Sequence, residues 1–84
     1  MDLNLGSVIK RLRTEHSITQ EELAEYLGIS FQAVSKWETG TTLPDITLLP
    51  KLAAFFGIKI DELFSNAIKL QIEKNKEYGY ANYA

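Results

Sequence analysis

The stretch Thr19-Gln20-Glu21-Glu22-Leu23-Ala24-Glu25-Tyr26-Leu27-Gly28-Ile29-Ser30, continuing Phe31-Gln32-Ala33-Val34-Ser35-Lys36-Trp37-Glu38-Thr39-Gly40, holds two helix starts and two helix stops in close succession. Thr19 and Glu22 have the spacing of a capping box, in which the Thr19 hydroxyl accepts from the Glu22 amide and the Glu22 carboxylate accepts from the Thr19 amide. Ile18 and Leu23 suit the hydrophobic staple that accompanies it. Leu23, Ala24 and Leu27 form the inward edge of this helix, which reaches Tyr26 or Leu27. Gly28 then supplies the positive φ that a chain commonly needs just past a helix end. Ile29 buries in the turn, and Ser30 is a good N-cap for the next helix.

In that next helix, Val34 and Trp37 define a buried stripe, with Ala33 and the Ser30 cap beside it. The opposite face presents Phe31, Gln32, Ser35, Lys36 and Thr39, and Gly40 closes the element. Two short helices joined through a glycine turn, the second with a polar face free of core duties, form the supersecondary unit of DNA-binding helix-turn-helix domains.

Outward from this unit the pattern stays helical. Leu5, Val8, Ile9 and Leu12 recur at helical spacing and predict a first helix over Leu5–Glu15, broken by His16 and Ser17. Thr41 to Asp45 read as a loop. A fourth helix follows with Leu48, Leu49, Leu52, Ala53 and Phe56 inward. Pro50, which lacks an amide donor, confines its start to the region after Thr47, capped by Asp45 or Thr47. Gly57 ends it, and a short fifth helix near Ile60 to Phe64 adds Ile60, Leu63 and Phe64 to the core. Fold class is therefore all-α, a compact bundle of five short helices over residues 1–65. Residues 66–84 form a C-terminal extension: a dimerisation segment, a linker or a frayed tail. Within it, Ala67 to Glu77 are good helix formers with a Lys69–Glu73 pair, while Tyr78 to Tyr83 show no helical period.

Composition narrows the function. With 84 residues and 45% hydrophobic side chains, the chain suits one small core. No cysteine is present, and His16 is the single histidine, so thiolate sites and paired-imidazole metal sites are excluded and no cofactor is implied. No stretch is apolar enough to span a bilayer, so no membrane contact and a cytoplasmic location are expected. Ser, His and Asp nowhere fall as a nucleophile and its base require, and no glycine-rich phosphate loop exists, so an enzyme is not expected. The net charge is -2. Affinity for a polyanion must then rest on placed donors rather than on a global field.

The residues from Thr19 to Gly40, together with Leu43-Pro44-Asp45 and Ile60-Asp61-Glu62-Leu63, resemble the Xre-type, lambda-repressor/Cro-like family of bacterial and phage regulators. The likeness covers residues 5–65. It implies a transcriptional regulator, by default a repressor, that binds double-stranded DNA at a palindromic operator as a homodimer and reads the major groove with the helix Ser30–Thr39. By the same resemblance, Gln20 matches a glutamine that bonds a backbone phosphate. Ser30 stands at the start of the reading helix, and Gln32, Ser35 and Lys36 match positions facing base edges or flanking phosphates. Thr39, Thr41 and Thr42 match the segment that touches the sugar-phosphate backbone. Arg13 and Glu38 resemble a partly buried ion pair.

Chemistry supports these assignments unequally. A glutamine amide makes a paired contact to adenine, and a lysine donates to guanine or to phosphate. Ser35 is short, and a solvated serine fits it nearly as well. Phe31 departs from the polar reader of familiar repressors; it either packs on a thymine methyl or folds back onto the second helix. Trp37 reads as core and His16 as an exposed loop residue. Some domains of this fold act through protein contacts instead, but a docking face would carry several apolar residues or acids, and here only Phe31 is apolar. Ile68, Leu70, Ile72, Tyr78, Tyr80 and Tyr83 are candidates for packing across a dimer axis.

Overall fold

A computed structural model describes residues 5–77. These form α1 (Leu5–Glu15), α2 (Gln20–Leu27), α3 (Phe31–Glu38), α4 (Leu49–Phe56) and α5 (Ile60–Glu77), with a single 3-10 turn at Ile46–Leu48 before α4. Among the described residues every regular element is helical.

Local chemistry sets the boundaries. Both halves of the capping box form: the Thr19 hydroxyl accepts from the Glu22 amide at 3.0 Å, and the Glu22 carboxylate accepts from the Thr19 amide at 3.0 Å. At the other end Gly28 adopts φ 72°. There the Gly28 and Ile29 amides return to the carbonyls of Glu25 and Ala24 at 3.2 and 3.0 Å, the bonding of a Schellman stop. The Ser30 hydroxyl accepts from the Ala33 amide at 3.3 Å and starts α3. α1 ends by the same bonding, but with Ser17 at φ 56° where α2, α3 and α4 use glycine.

Leu5, Val8, Ile9 and Leu12 of α1 bury against Leu23, Ala24 and Leu27 of α2, Val34 and Trp37 of α3, and Leu49, Leu52, Ala53 and Phe56 of α4. Leu23, Val34, Leu52 and Leu63 are fully enclosed. Each such side chain stabilises the fold by about 2 kcal/mol relative to exposure. Ile18, Ile29 and Leu48 pack on the rim of this core.

One close approach fixes α1 on α3. A Cβ built on Gly6 would lie 1.8 Å from the Trp37 carbonyl oxygen, so only glycine lets the start of α1 abut the end of α3.

Three details differ from the sequence expectations. Asp45 caps the 3-10 turn, accepting from the Thr47 amide at 2.8 Å, while α4 begins at Leu49 with no side-chain cap. Pro50 in its first turn has no amide to leave orphaned, which makes that start tolerable. Ile60, expected inward, remains 38% exposed at the first position of α5, although Leu63 and Ala67 on the same stripe of that helix are fully buried. The fifth helix is also not short. It runs on through Ser65 and Asn66, and Ala67 is fully buried in the core. Tyr78, Tyr80 and Tyr83 lie outside the described residues, as do the side chains of Lys69, Leu70 and Glu73.

Candidate nucleic-acid interface

α3 is pinned from behind. Val34 and Trp37 sink into the core, and the Glu38 side chain, one turn beyond Val34, is only 4% exposed. Spacing then dictates what faces out: Gln32, Ser35, Lys36 and Thr39 fall at i, i+3, i+4 and i+7 on one stripe. Gln32, Lys36 and Thr39 are exposed and Ser35 is half-buried, so the serine hydroxyl stands back from the surface. Phe31 flanks the stripe and is 45% exposed. Tyr26 of α2 stacks instead against Phe55 of α4, with ring centroids 4.6 Å apart. No acid stands in the first turn of α3.

The segment after α3 is held by its own hydrogen bonds. The Lys36 carbonyl accepts from the Thr41 amide at 2.9 Å, the Thr42 amide at 3.3 Å and the Thr39 hydroxyl at 3.1 Å. The hydroxyls of Thr39 and Thr41 lie 2.9 Å apart. Either hydroxyl can donate within this pair; with the Thr39 proton on the Lys36 carbonyl the Thr41 hydroxyl does so, and both then rotate before donating to a phosphate. Thr42 is exposed beside them.

Behind the stripe three elements meet on one carboxylate. Arg13 of α1 donates to Glu38 twice, Nε to Oε2 at 2.7 Å and Nη2 to Oε1 at 2.9 Å. Its Nη1 donates to the Ile18 carbonyl at 2.8 Å. Gln20, at the start of α2 and half-buried, donates from Nε2 to Glu38 Oε1 at 3.1 Å. Burial pushes the Glu38 carboxyl up, but the bonds from Arg13 and Gln20 and the charges of Arg13 and Lys10 outweigh it and hold the group below the usual carboxylate range. The bond to Glu38 in turn raises the Arg13 guanidinium further above its ordinary value.

The structure thus gathers Gln32, Ser35, Lys36 and Thr39 on α3, with Phe31 at their edge, Ser30 as cap and Thr41 and Thr42 just beyond. Gln20 stands apart from that stripe, joined to it through Glu38. Sequence reasoning passed over Lys10, an exposed base on α1 whose charge acts on Glu38. Its spacing from Arg13, i and i+3 on one helix, is the signal that puts both on that side.

No cluster of three metal-ligating side chains occurs among the described residues, and no helix there is long and apolar enough to cross a membrane.

Comparison with known proteins agrees with this geometry. The profile of the family described as helix-turn-helix matches residues 9–63. The HTH-type transcriptional activator BcrR of Enterococcus faecalis is 46% identical over 63 residues, which cover 75% of this chain and 31% of that protein. An uncharacterized HTH-type transcriptional regulator of Methanocaldococcus jannaschii is 43% identical over 56 residues, 67% of this chain and 85% of that one. The cryptic phage CTXphi transcriptional repressor RstR of Vibrio cholerae is 38% identical over 62 residues, 74% of this chain and 56% of that protein. The chain therefore spans somewhat under a third of the first of these relatives, just over half of the third and most of the second. Among solved structures, the clp gene regulator ClgR of Corynebacterium glutamicum superposes with a TM-score of 0.84 over 94% of this chain and 84% of that one, at 22% identity, a likeness of fold. From the pinned α2–α3 pair, the matched profile and these relatives together, the chain belongs to the helix-turn-helix family, in its Xre-type, lambda-repressor-like branch.

Proposed function

We propose that this chain is a sequence-specific regulator of transcription that lays α3 and its caps, Ser30–Thr39, in the major groove of double-stranded DNA. The observation that carries this reading is the outward stripe of α3: Gln32, Lys36 and Thr39 exposed, no acid among them, on a helix that Val34 and Trp37 hold rigid from behind. Gln32 and Lys36 supply base-edge contacts, with Ser35 a shorter partner. Phe31, standing free of α2's aromatic pair, adds an apolar contact of the kind a thymine methyl accepts. Gln20, Ser30, Thr39, Thr41 and Thr42 serve the backbone, the two paired threonines after their hydroxyls turn outward.

With a net charge of -2 the chain has little field to hold DNA non-specifically. A homodimer on a palindromic operator doubles the placed contacts and matches the two-fold symmetry of such a site. Ile68 and Ile72 support it: they stand one turn apart on α5, 42% and 46% exposed. Residues 1–65 then act as the reading domain and residues 66–84 as a dimerisation segment, which Ala67 anchors to the core and of which residues 66–77 lie in α5. Repression by occupying a site that polymerase needs requires nothing beyond these parts, and it is the outcome we assign, in the cytoplasm and without a cofactor or catalytic step.

The test is selection of bound duplexes from random DNA, followed by fluorescence anisotropy on the winner. Gln32→Ala with Lys36→Ala is expected to weaken binding by roughly 100-fold and to relax the selected sequence, since each good base contact is worth about 1–3 kcal/mol. Unchanged affinity and preference would contradict the proposal. One protomer per selected site by light scattering would contradict the dimer.

A further inference from the structure

On the reading of Gln20 as a backbone contact, we propose that Glu38 is the positioning residue that orients the Gln20 amide for a phosphate and ties it to the reading helix. Glu38 closes α3 and lies in a site where its side chain is 4% exposed and that of Arg13 14%. The two-pronged bond from Arg13, at 2.7 and 2.9 Å, leaves the carboxylate one orientation. Gln20 Nε2 reaches the same carboxylate at 3.1 Å.

That contact settles which way the amide faces. Turned by half a rotation, Gln20 would set its oxygen against Glu38 Oε1, two acceptors with no proton between them. In the observed orientation one Nε2 proton is held by Glu38 and the second stays available on the side away from it. An amide fixed in this way gives up its rotamer freedom on folding rather than on binding, which lowers the entropy lost when a phosphate arrives.

A second consequence follows from where Glu38 sits. Gln20 opens α2, while Glu38 lies on the same rigid helix as Gln32 and Lys36. The backbone contact and the base contacts are therefore held in register through one carboxylate, so a helix seated on its phosphate has its readers at the bases. Arg13 and Lys10 from α1 face Glu38 as the cations that keep it charged, and Glu21 of α2 is the acid whose charge reaches Arg13.

A double-mutant cycle on the selected duplex tests this, with the full chain and well below each variant's melting temperature. Glu38→Asp keeps the charge for Arg13 but draws the oxygens back from Gln20. It is expected to weaken binding about fivefold to tenfold, as is Gln20→Ala, the loss expected of one hydrogen bond. Combining the two is expected to cost no more than either alone. Arg13→Met with Glu38→Gln removes the two-pronged bond that fixes the acceptor; it is expected to weaken binding about as much as Glu38→Asp and likewise to add nothing to Gln20→Ala. A methylphosphonate scan is expected to find one phosphate whose neutralisation weakens the wild type but neither Gln20→Ala nor Glu38→Asp.

Glu38→Asp binding like wild type, or adding in full to Gln20→Ala, would overturn the proposal while leaving the reading helix intact. Failure of the wild-type chain to select any duplex would overturn both.

Discussion

Two turns in this chain are built alike and end differently. Leu23-Ala24-Glu25-Tyr26-Leu27-Gly28-Ile29-Ser30 joins α2 to α3, and Leu52-Ala53-Ala54-Phe55-Phe56-Gly57-Ile58-Lys59 joins α4 to α5. Gly28 and Gly57 adopt φ 72° and 69°, and each turn sends its glycine and isoleucine amides back to the matching pair of carbonyls. The next helices bury matching residues too, Val34 in one and Leu63 in the other.

Their starts diverge. Ser30 caps α3 with its hydroxyl, and no acid follows in the first turn. α5 opens on Lys59, whose amide donates to the Glu62 carboxylate at 3.1 Å, with Asp61 beside it. A helix N-terminus attracts anions, and α5 supplies its own where α3 leaves the place open. The turn makes the geometry, and the residues written on the second helix decide whether DNA can use it.

The largest expected effect concerns the support behind α3. Gly6→Ala drives a methyl into the Trp37 carbonyl and is expected to cost about 3 kcal/mol or more, read by urea denaturation. A loss under about 1 kcal/mol would mean that α1 can shift away freely.

Next comes an exchange of side chains between the two helix starts. Gln32→Asp writes the acid of position 61 onto the matching place in α3 and is expected to weaken operator binding about 100-fold, through a lost base contact and added repulsion. Asp61→Gln is expected to change it less than about twofold, because surface substitutions away from an interface act weakly. Equal effects would erase the distinction between the turns.

Smaller still, Gly28→Ala and Gly57→Ala are each expected to cost about 1–2 kcal/mol of stability, since both leave room for a Cβ and both hold it in the left-handed region. Matching losses would confirm that the backbones are equivalent, and a marked difference would break the comparison at its base.

The smallest effect is one of pH. The Glu38 carboxyl is held below its ordinary range in the folded state, so its contribution is complete above the unfolded value and is lost as pH falls through the folded one. The stability gap between wild type and Glu38→Gln is expected to be full at neutral pH and to close below about pH 4. A gap independent of pH would remove the carboxylate's charge from the account.

The α2–α3 unit is the most legible part of the sequence because its signals are local. Thr19, Glu22, Gly28 and Ser30 each act within four residues of themselves, and the structure forms every one of those bonds. The missed features depend on distant partners. No local signal marks Gly6; the need for glycine there comes from the Trp37 carbonyl against it. Ile60 to Phe64 read as a short helix of its own, yet burial of Ala67 against the core carries α5 on through Ser65 and Asn66. In the candidate site, the outward stripe follows from helical spacing alone. The Gln20–Glu38 bond and the Thr39–Thr41 pairing do not, since each depends on which rotamer the fold selects.

The contrast between the two turns is tested most directly by titrating the labelled chain with its selected duplex and following backbone amides by NMR. The account predicts shifts concentrated at Gln20 and from Ser30 to Thr42, with the amides from Gly57 to Glu62 unmoved. Shifts centred on the α4–α5 turn, with α3 silent, would contradict it.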